Sequence, residues 1–87
     1  MTGPHPIRLT RGSEFAYDIP LPGAEVLIGL YDISGRRLVT LADGHVGPGS
    51  HMASLAGPDL ERLGSGVYFL RMEAGAFRET KRVVLLR

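Results

Sequence analysis

Apolar side chains recur at every second position through much of the chain, and each such run stops at glycine, proline or aspartate. Phe15, Tyr17 and Ile19 alternate with Glu14, Ala16 and Asp18, the period of a strand with one buried face. Val26, Ile28 and Leu30 define a second strand over Glu25 to Tyr31, where β-branched content favours strand over helix. Arg36 to Ala42 predicts the returning strand of a hairpin, with Val39 and Leu41 on one face and Leu38 and Thr40 on the other. Between them, Asp32-Ile33-Ser34-Gly35 predicts a tight turn in which Gly35 supplies a positive φ. Asp43-Gly44 and Gly47-Pro48-Gly49 bracket the next expected connection, before a short strand from Ser50 to Leu55. The alternation returns from Gly66 to Ala74, where Tyr68, Leu70 and Met72 oppose Val67, Phe69, Arg71 and Glu73. A turn over Glu73 to Ala76 leads into Phe77 to Leu86, whose end, Val83-Val84-Leu85-Leu86, is apolar on both faces.

The remaining segments are punctuation. Two prolines in Gly3-Pro4-His5-Pro6 lack ladder donors, so this is an extended lead-in. Ile7 to Leu9 suggests a short edge strand and Thr10 to Ser13 a turn. Residues 1–12 are thus an extended linker or first edge strand, and residues 13–87 the folded domain. Pro20-Leu21-Pro22-Gly23 is too rich in proline to continue a ladder. Pro58 to Leu63 predicts one helical turn with Leu60 and Leu63 facing inward. About seven short strands at this spacing predict an all-β, antiparallel sandwich.

Composition narrows the chemistry. The 87 residues include no cysteine, which excludes a disulfide framework, a thiolate metal site and a cysteine nucleophile. Ten basic and nine acidic side chains leave a net charge of +1, too little of a field to steer the chain toward nucleic acid, a membrane surface or acidic partners. Neither Met1 to Gly12 nor any later stretch holds the apolar run of a signal peptide or membrane span, so no membrane insertion is expected. His5, His45 and His51 show no metal-ligand spacing, and Gly-x-Ser-x-Gly is absent. Asp32, Asp43 and Asp59 are expected in turns, bonding local N–H groups. A sandwich this small can hardly enclose a catalytic cleft. The expectation is a non-catalytic domain without metal or cofactor.

Three features invite a functional reading. Tyr68, just after Gly66, occupies the place for a tyrosine corner, its hydroxyl bonded back to the backbone. Arg78, Lys81, Arg82 and Arg87 face only Glu79 in the last segment. Such charges guard an edge strand against pairing with another chain, and the stretch Lys81, Arg82, Val83, Val84, Leu85 and Leu86 is equally a candidate for receptor docking by strand addition. Tyr31 and Phe69 are the only aromatic candidates for a sugar contact, with sheet-face packing as the alternative role.

The order of these motifs carries a resemblance. Phe15-Ala16-Tyr17-Asp18-Ile19-Pro20, then Val26 to Leu30 leading into Tyr31-Asp32-Ile33-Ser34-Gly35-Arg36, then Gly47-Pro48-Gly49 with His51, Ser65 to Arg71, and Lys81 to Leu85 together resemble the immunoglobulin-like domain shared by flagellar hook-capping proteins and type IX secretion C-terminal sorting domains. The similarity spans nearly the whole chain. It implies a seven-stranded, fibronectin III-like immunoglobulin sandwich at the C-terminal end of a larger exported bacterial protein, whose export signal lies upstream. It also implies recognition by outer-membrane secretion machinery reached through the periplasm, with the domain secreted or held at the cell surface. Pro4-His5-Pro6 stands where the family has a Pro-Asn-Pro-like linker, and Leu55-Ala56-Gly57 where many members have Trp-Asp-Gly. The Leu60 to Tyr68 run looks more like the secreted-protein branch. Competing roles are a passive accessory or carbohydrate-binding module of a secreted enzyme, or a structural domain of the hook-capping type.

Overall fold

A computed structural model describes residues 7–9, 13–55 and 57–86. Seven strands and one short helix follow in the order β1 (Ile7–Leu9), β2 (Glu14–Ile19), β3 (Ala24–Tyr31), β4 (Arg37–Val46), β5 (Gly49–Ser54), α1 (Gly57–Glu61), β6 (Gly66–Ala74) and β7 (Phe77–Leu85). They form a five-stranded sheet in the order β1-β7-β6-β3-β4 and a two-stranded sheet of β2 and β5. Ile19, Ala53 and Leu55 from the smaller sheet and its exit join Val26, Ile28, Leu30, Val39, Tyr68, Leu70, Val83 and Leu85 in one buried cluster. The chain is therefore mostly β, in two sheets over a common core, an arrangement compatible with an all-β sandwich.

The hairpins follow from local chemistry. In the β3–β4 turn the Asp32 carboxylate accepts from the Ser34 amide at 2.9 Å, the Ser34 hydroxyl at 2.6 Å and the Arg36 amide at 3.0 Å. The Ser34 hydroxyl, then the Arg36 amide, hold its carboxyl below the ordinary carboxylate value, because each stabilises the charged form. The Gly35 amide closes the turn on the Asp32 carbonyl at 3.0 Å, and Gly35 has φ +91°, a conformation that side-chain-bearing residues rarely adopt. Gly75 and Ala76 alone join β6 to β7, since Ala74 pairs with Phe77. The Pro20–Gly23 turn contains a cis Leu21–Pro22 bond and is closed by the Gly23 amide on the Pro20 carbonyl at 2.9 Å.

Four sequence expectations need correction. Asp43-Gly44 is not a connection: β4 continues through both, opposite Leu27 and Val26, and only Gly47 and Pro48 separate it from β5. Asp43 is consequently a strand residue rather than a turn residue. The reason is pairing length, because β3 starts at Ala24 and its first residues need Val46, His45 and Gly44 as partners. Strict alternation in β4 also fails, since the pairing skips Leu38 and Leu41. Each is the extra residue of a β-bulge, which turns the following side chains to the other face; Ala42, not Leu41, lies opposite Ile28. Finally, the five-stranded sheet is not purely antiparallel. β1 runs parallel to β7, with Leu9 opposite Leu85, because strands from opposite ends of a chain need no hairpin between them.

Of the two readings of residues 1–12, Ile7–Leu9 is an edge strand integral to the sheet, with Leu9 only 2% exposed; the lead-in at residues 1–6, with the proposed linker and His5, lies outside the described residues, as do the turn positions 10–12. The helical turn forms over Gly57–Glu61, and Leu63, just beyond it, is buried while Leu60 packs against the core. The last bonds here run from Arg62 to Asp59 and Leu63 to Leu60, the tighter i to i+3 spacing of a segment too short for a free helix.

Candidate recognition surfaces

β7 changes character along its length. Val83 and Leu85 point into the core and are 0% and 3% exposed, while every residue from Phe77 to Arg82 is exposed. β1 covers the edge of Val83, Val84 and Leu85. Among the described residues no strand pairs with the same edge of Phe77–Arg82. The docking stretch expected from sequence is thus divided. Val83 and Leu85 are held by packing, Val84 is half-buried, Leu86 is exposed, and Lys81 and Arg82 lie on the free part of the strand.

Lys81 and Arg82 also face opposite sides of the sheet. Lys81 and Glu79 share the inward side with Val83, yet β2 and β5 are too small a sheet to cover them. Together with Phe15, Tyr17, Leu70 and Met72 they line an open groove of about 240 Å³ between the sheets. Sequence reasoning missed this groove. The signal was present in β7 itself, where Phe77, Glu79 and Lys81 continue the inward register of Val83 and Leu85 with two charges; inward-pointing charges are one device that keeps a sheet edge from pairing.

Tyr68 sits on β6 at the edge of the core, and its hydroxyl donates to the Gly64 carbonyl at 2.6 Å. Gly66, at the start of β6, pairs with Leu85. The bond ties the loop after α1 to the sheet. Tyr68→Phe is expected to cost about 1 kcal/mol without changing the fold, read as a lower urea midpoint at unchanged slope; an unchanged midpoint would remove the corner from the stabilising contacts.

Tyr31 and Phe69, far apart in sequence, are direct cross-strand partners on the outer face of the larger sheet. Arg71 lies over the Tyr31 ring, its guanidinium carbon 5.9 Å from the centroid. Asp32 and Gly35 place the hairpin turn beside them, and Tyr31, Phe69, Arg71, Thr80 and Ile33 border a depression of about 180 Å³.

The described histidines have local partners. His45 Nδ1 lies 3.2 Å from Glu25 Oε2, and His51 bonds the Gly47 carbonyl at 2.8 Å while stacking on Tyr17 with ring centroids 5.5 Å apart. Among the described residues no three His, Asp or Glu side chains gather at metal-binding distance. Asp59 pairs with Arg62 at 2.6 Å in the helical segment. No described helix is long and apolar enough to cross a membrane.

Fold and surfaces together define a small two-sheet β domain with exposed strand edges and one aromatic face. No protein-family model, curated protein or solved structure matches the chain.

Proposed function

We propose that this chain is a non-catalytic, immunoglobulin-like recognition domain, the sorting and surface-attachment part of a larger exported bacterial protein, read by type IX secretion machinery at the outer membrane. In an immunoglobulin-like sandwich strands C, F and G share one sheet while B and E belong to the other. Taking β2 to β7 in chain order as B, C, C′, E, F and G gives that division, with β3, β6 and β7 together and β2 paired with β5. Tyr68, on the strand equivalent to F with its hydroxyl bonded upstream, supports the same reading.

The observation that carries the role is the divided β7. Its apolar end is anchored by β1 and the core, whereas Phe77–Arg82 presents an exposed basic edge. A receptor strand added to that edge gains main-chain hydrogen bonds for affinity and reads Arg78, Lys81 and Arg82 for specificity. The anchored end keeps the edge straight and in place.

The test fuses the chain behind an export signal and a fluorescent reporter in a type IX-competent bacterium. A twin carries Arg78→Ala, Lys81→Ala and Arg82→Ala, which are exposed substitutions that spare the core. Deleting the whole segment would be a poor control, because it removes Val83 and Leu85. The expected result is reporter at the surface with the native chain and in the periplasm with the triple variant. Native chain held in the periplasm while the host exports its own cargo would overturn the sorting role. Equal export of both would overturn the assignment to this edge.

A further inference from the structure

The outer face of the five-stranded sheet has a composition that neither packing nor strand docking requires. One cross-strand row runs Arg37, Tyr31, Phe69, Arg82, each residue directly opposite the next on β4, β3, β6 and β7. Adjacent strands lie about 4.8 Å apart, so the row extends about 14 Å. It has two aromatic rings at its centre and a guanidinium at each end.

The next row places Arg71 opposite Gly29. A methyl group at Gly29 would lie 3.0 Å from Cδ of Arg37 and 3.2 Å from Cε1 of Tyr31. Glycine at this position therefore lets the Arg37 side chain and the Tyr31 ring settle over the β3 backbone. Arg71 approaches Tyr31 from the other side and is held by Glu73, with Nε to Oε2 at 3.3 Å. Three arginines thus flank one aromatic pair, while the carboxylates of Glu73 and Asp43 lie in a more distant row, on either side of Leu27; Asp32, at the rim, is already engaged by its turn and by Arg36.

We propose that this face binds an acidic polysaccharide, with sugar rings resting on Tyr31 and Phe69 and uronate carboxylates held by Arg37, Arg71 and Arg82. Guanidinium forks match carboxylates in a bidentate manner, and aromatic faces offer rigid, largely apolar contact at small entropic cost. The depression beside the rings, at about 180 Å³, falls below the roughly 300 to 1,000 Å³ of an enclosing small-molecule pocket. It suits one ring of a chain that continues along the row rather than a free metabolite. Glu73 accepts hydrogen bonds from sugar hydroxyls, and the guanidinium forks suit the planar carboxylate of a uronate. With a net charge of only +1, attraction to a polyanion comes from these local guanidiniums rather than from the field of the whole chain. This site shares Arg82 with the β7 edge, but Tyr31, Arg37 and Arg71 lie on β3, β4 and β6, so variants at those three test it independently of the sorting role.

The experiment is affinity electrophoresis of the full chain in gels containing polygalacturonate, its fully methyl-esterified form, or single-stranded poly-dT. Retardation by polygalacturonate alone, weakened by salt, is the expected result. Tyr31→Ala and, separately, Arg71→Gln should each weaken it about tenfold, the equivalent of one charge-assisted or stacking contact. Arg37→Gln, at an exposed position, serves as a third variant in case either of these lowers the thermal midpoint. No retardation, equal retardation by the methyl ester, stronger retardation by poly-dT, or full retention by all three variants would each overturn the proposal.

Discussion

A chain beginning at Ser13 is expected to lose most of its folded population at 25 °C. Such a chain keeps every residue of the domain as the periodicity alone would draw it, but it lacks β1. Leu9 is 2% exposed and seals the end of the core beside Leu85, and burying a leucine contributes about 1.5 to 3 kcal/mol. Its removal also uncovers Val83 and Leu85, which are 0% and 3% exposed in the intact sheet, and frees their backbone edge. The combined loss is roughly 5 kcal/mol. A domain of this length has a stability of roughly 4 to 13 kcal/mol, and the limited burial of so short a chain places it at the lower end, so the loss removes nearly all of it. Urea unfolding followed by circular dichroism measures the effect. Leu9→Ala in the full chain localises it, with an expected cost of about 2 to 5 kcal/mol. A Ser13 chain with the native midpoint would return residues 1–12 to the status of a linker.

Leu30→Ala is expected to be the most damaging single truncation on the central strand, at about 3 to 4 kcal/mol. Leu30 is 1% exposed, lies between Val39 and Leu70 in register, and belongs to the strand that pairs on both sides. Its neighbours are anchored by those pairings, so the vacated volume closes poorly and the cavity adds to the lost transfer energy. Leu21→Ala is the matched control. Leu21 is 83% exposed in the Pro20–Gly23 turn, and its truncation should change stability by no more than about 0.5 kcal/mol. Similar midpoint shifts for the two would place Leu30 outside the stabilising core.

These expectations also separate what pattern reading reached from what it did not. The strands β2, β3, β6 and β7 were legible within a residue or two, because side-chain direction in a strand is set by the local backbone and glycine or proline interrupts it locally. The β3–β4 turn was legible for the same reason, since Asp32 and Gly35 act within one five-residue segment. The bulges at Leu38 and Leu41 were not. A bulge exists only relative to a partner strand, so a single strand's sequence carries no count of the residues opposite. Asp43-Gly44 misled because its composition is that of a turn, while the length of β3 required its residues in the ladder.

The candidate surfaces divide in the same way. Lys81 and Arg82 were recognisable as charges on an edge strand, but their separation onto opposite faces, and the covering of Val83 to Leu85 by β1, depend on contacts between the two ends of the chain. Tyr31 and Phe69 stood out as spare aromatics. Their adjacency, with Arg37, Arg71 and Arg82 around them and Gly29 beneath, follows from the pairing of β3 with β6 and β4. By itself, then, the sequence determined strands β2, β3, β6 and β7, the inward face of each and the β3–β4 turn, since these follow from period-2 geometry and the φ preferences of single residues. Tertiary structure alone decided which strands are neighbours, where the small sheet leaves the large one uncovered, and which exposed side chains share a face, because pairing order and sheet area are set by non-local contacts.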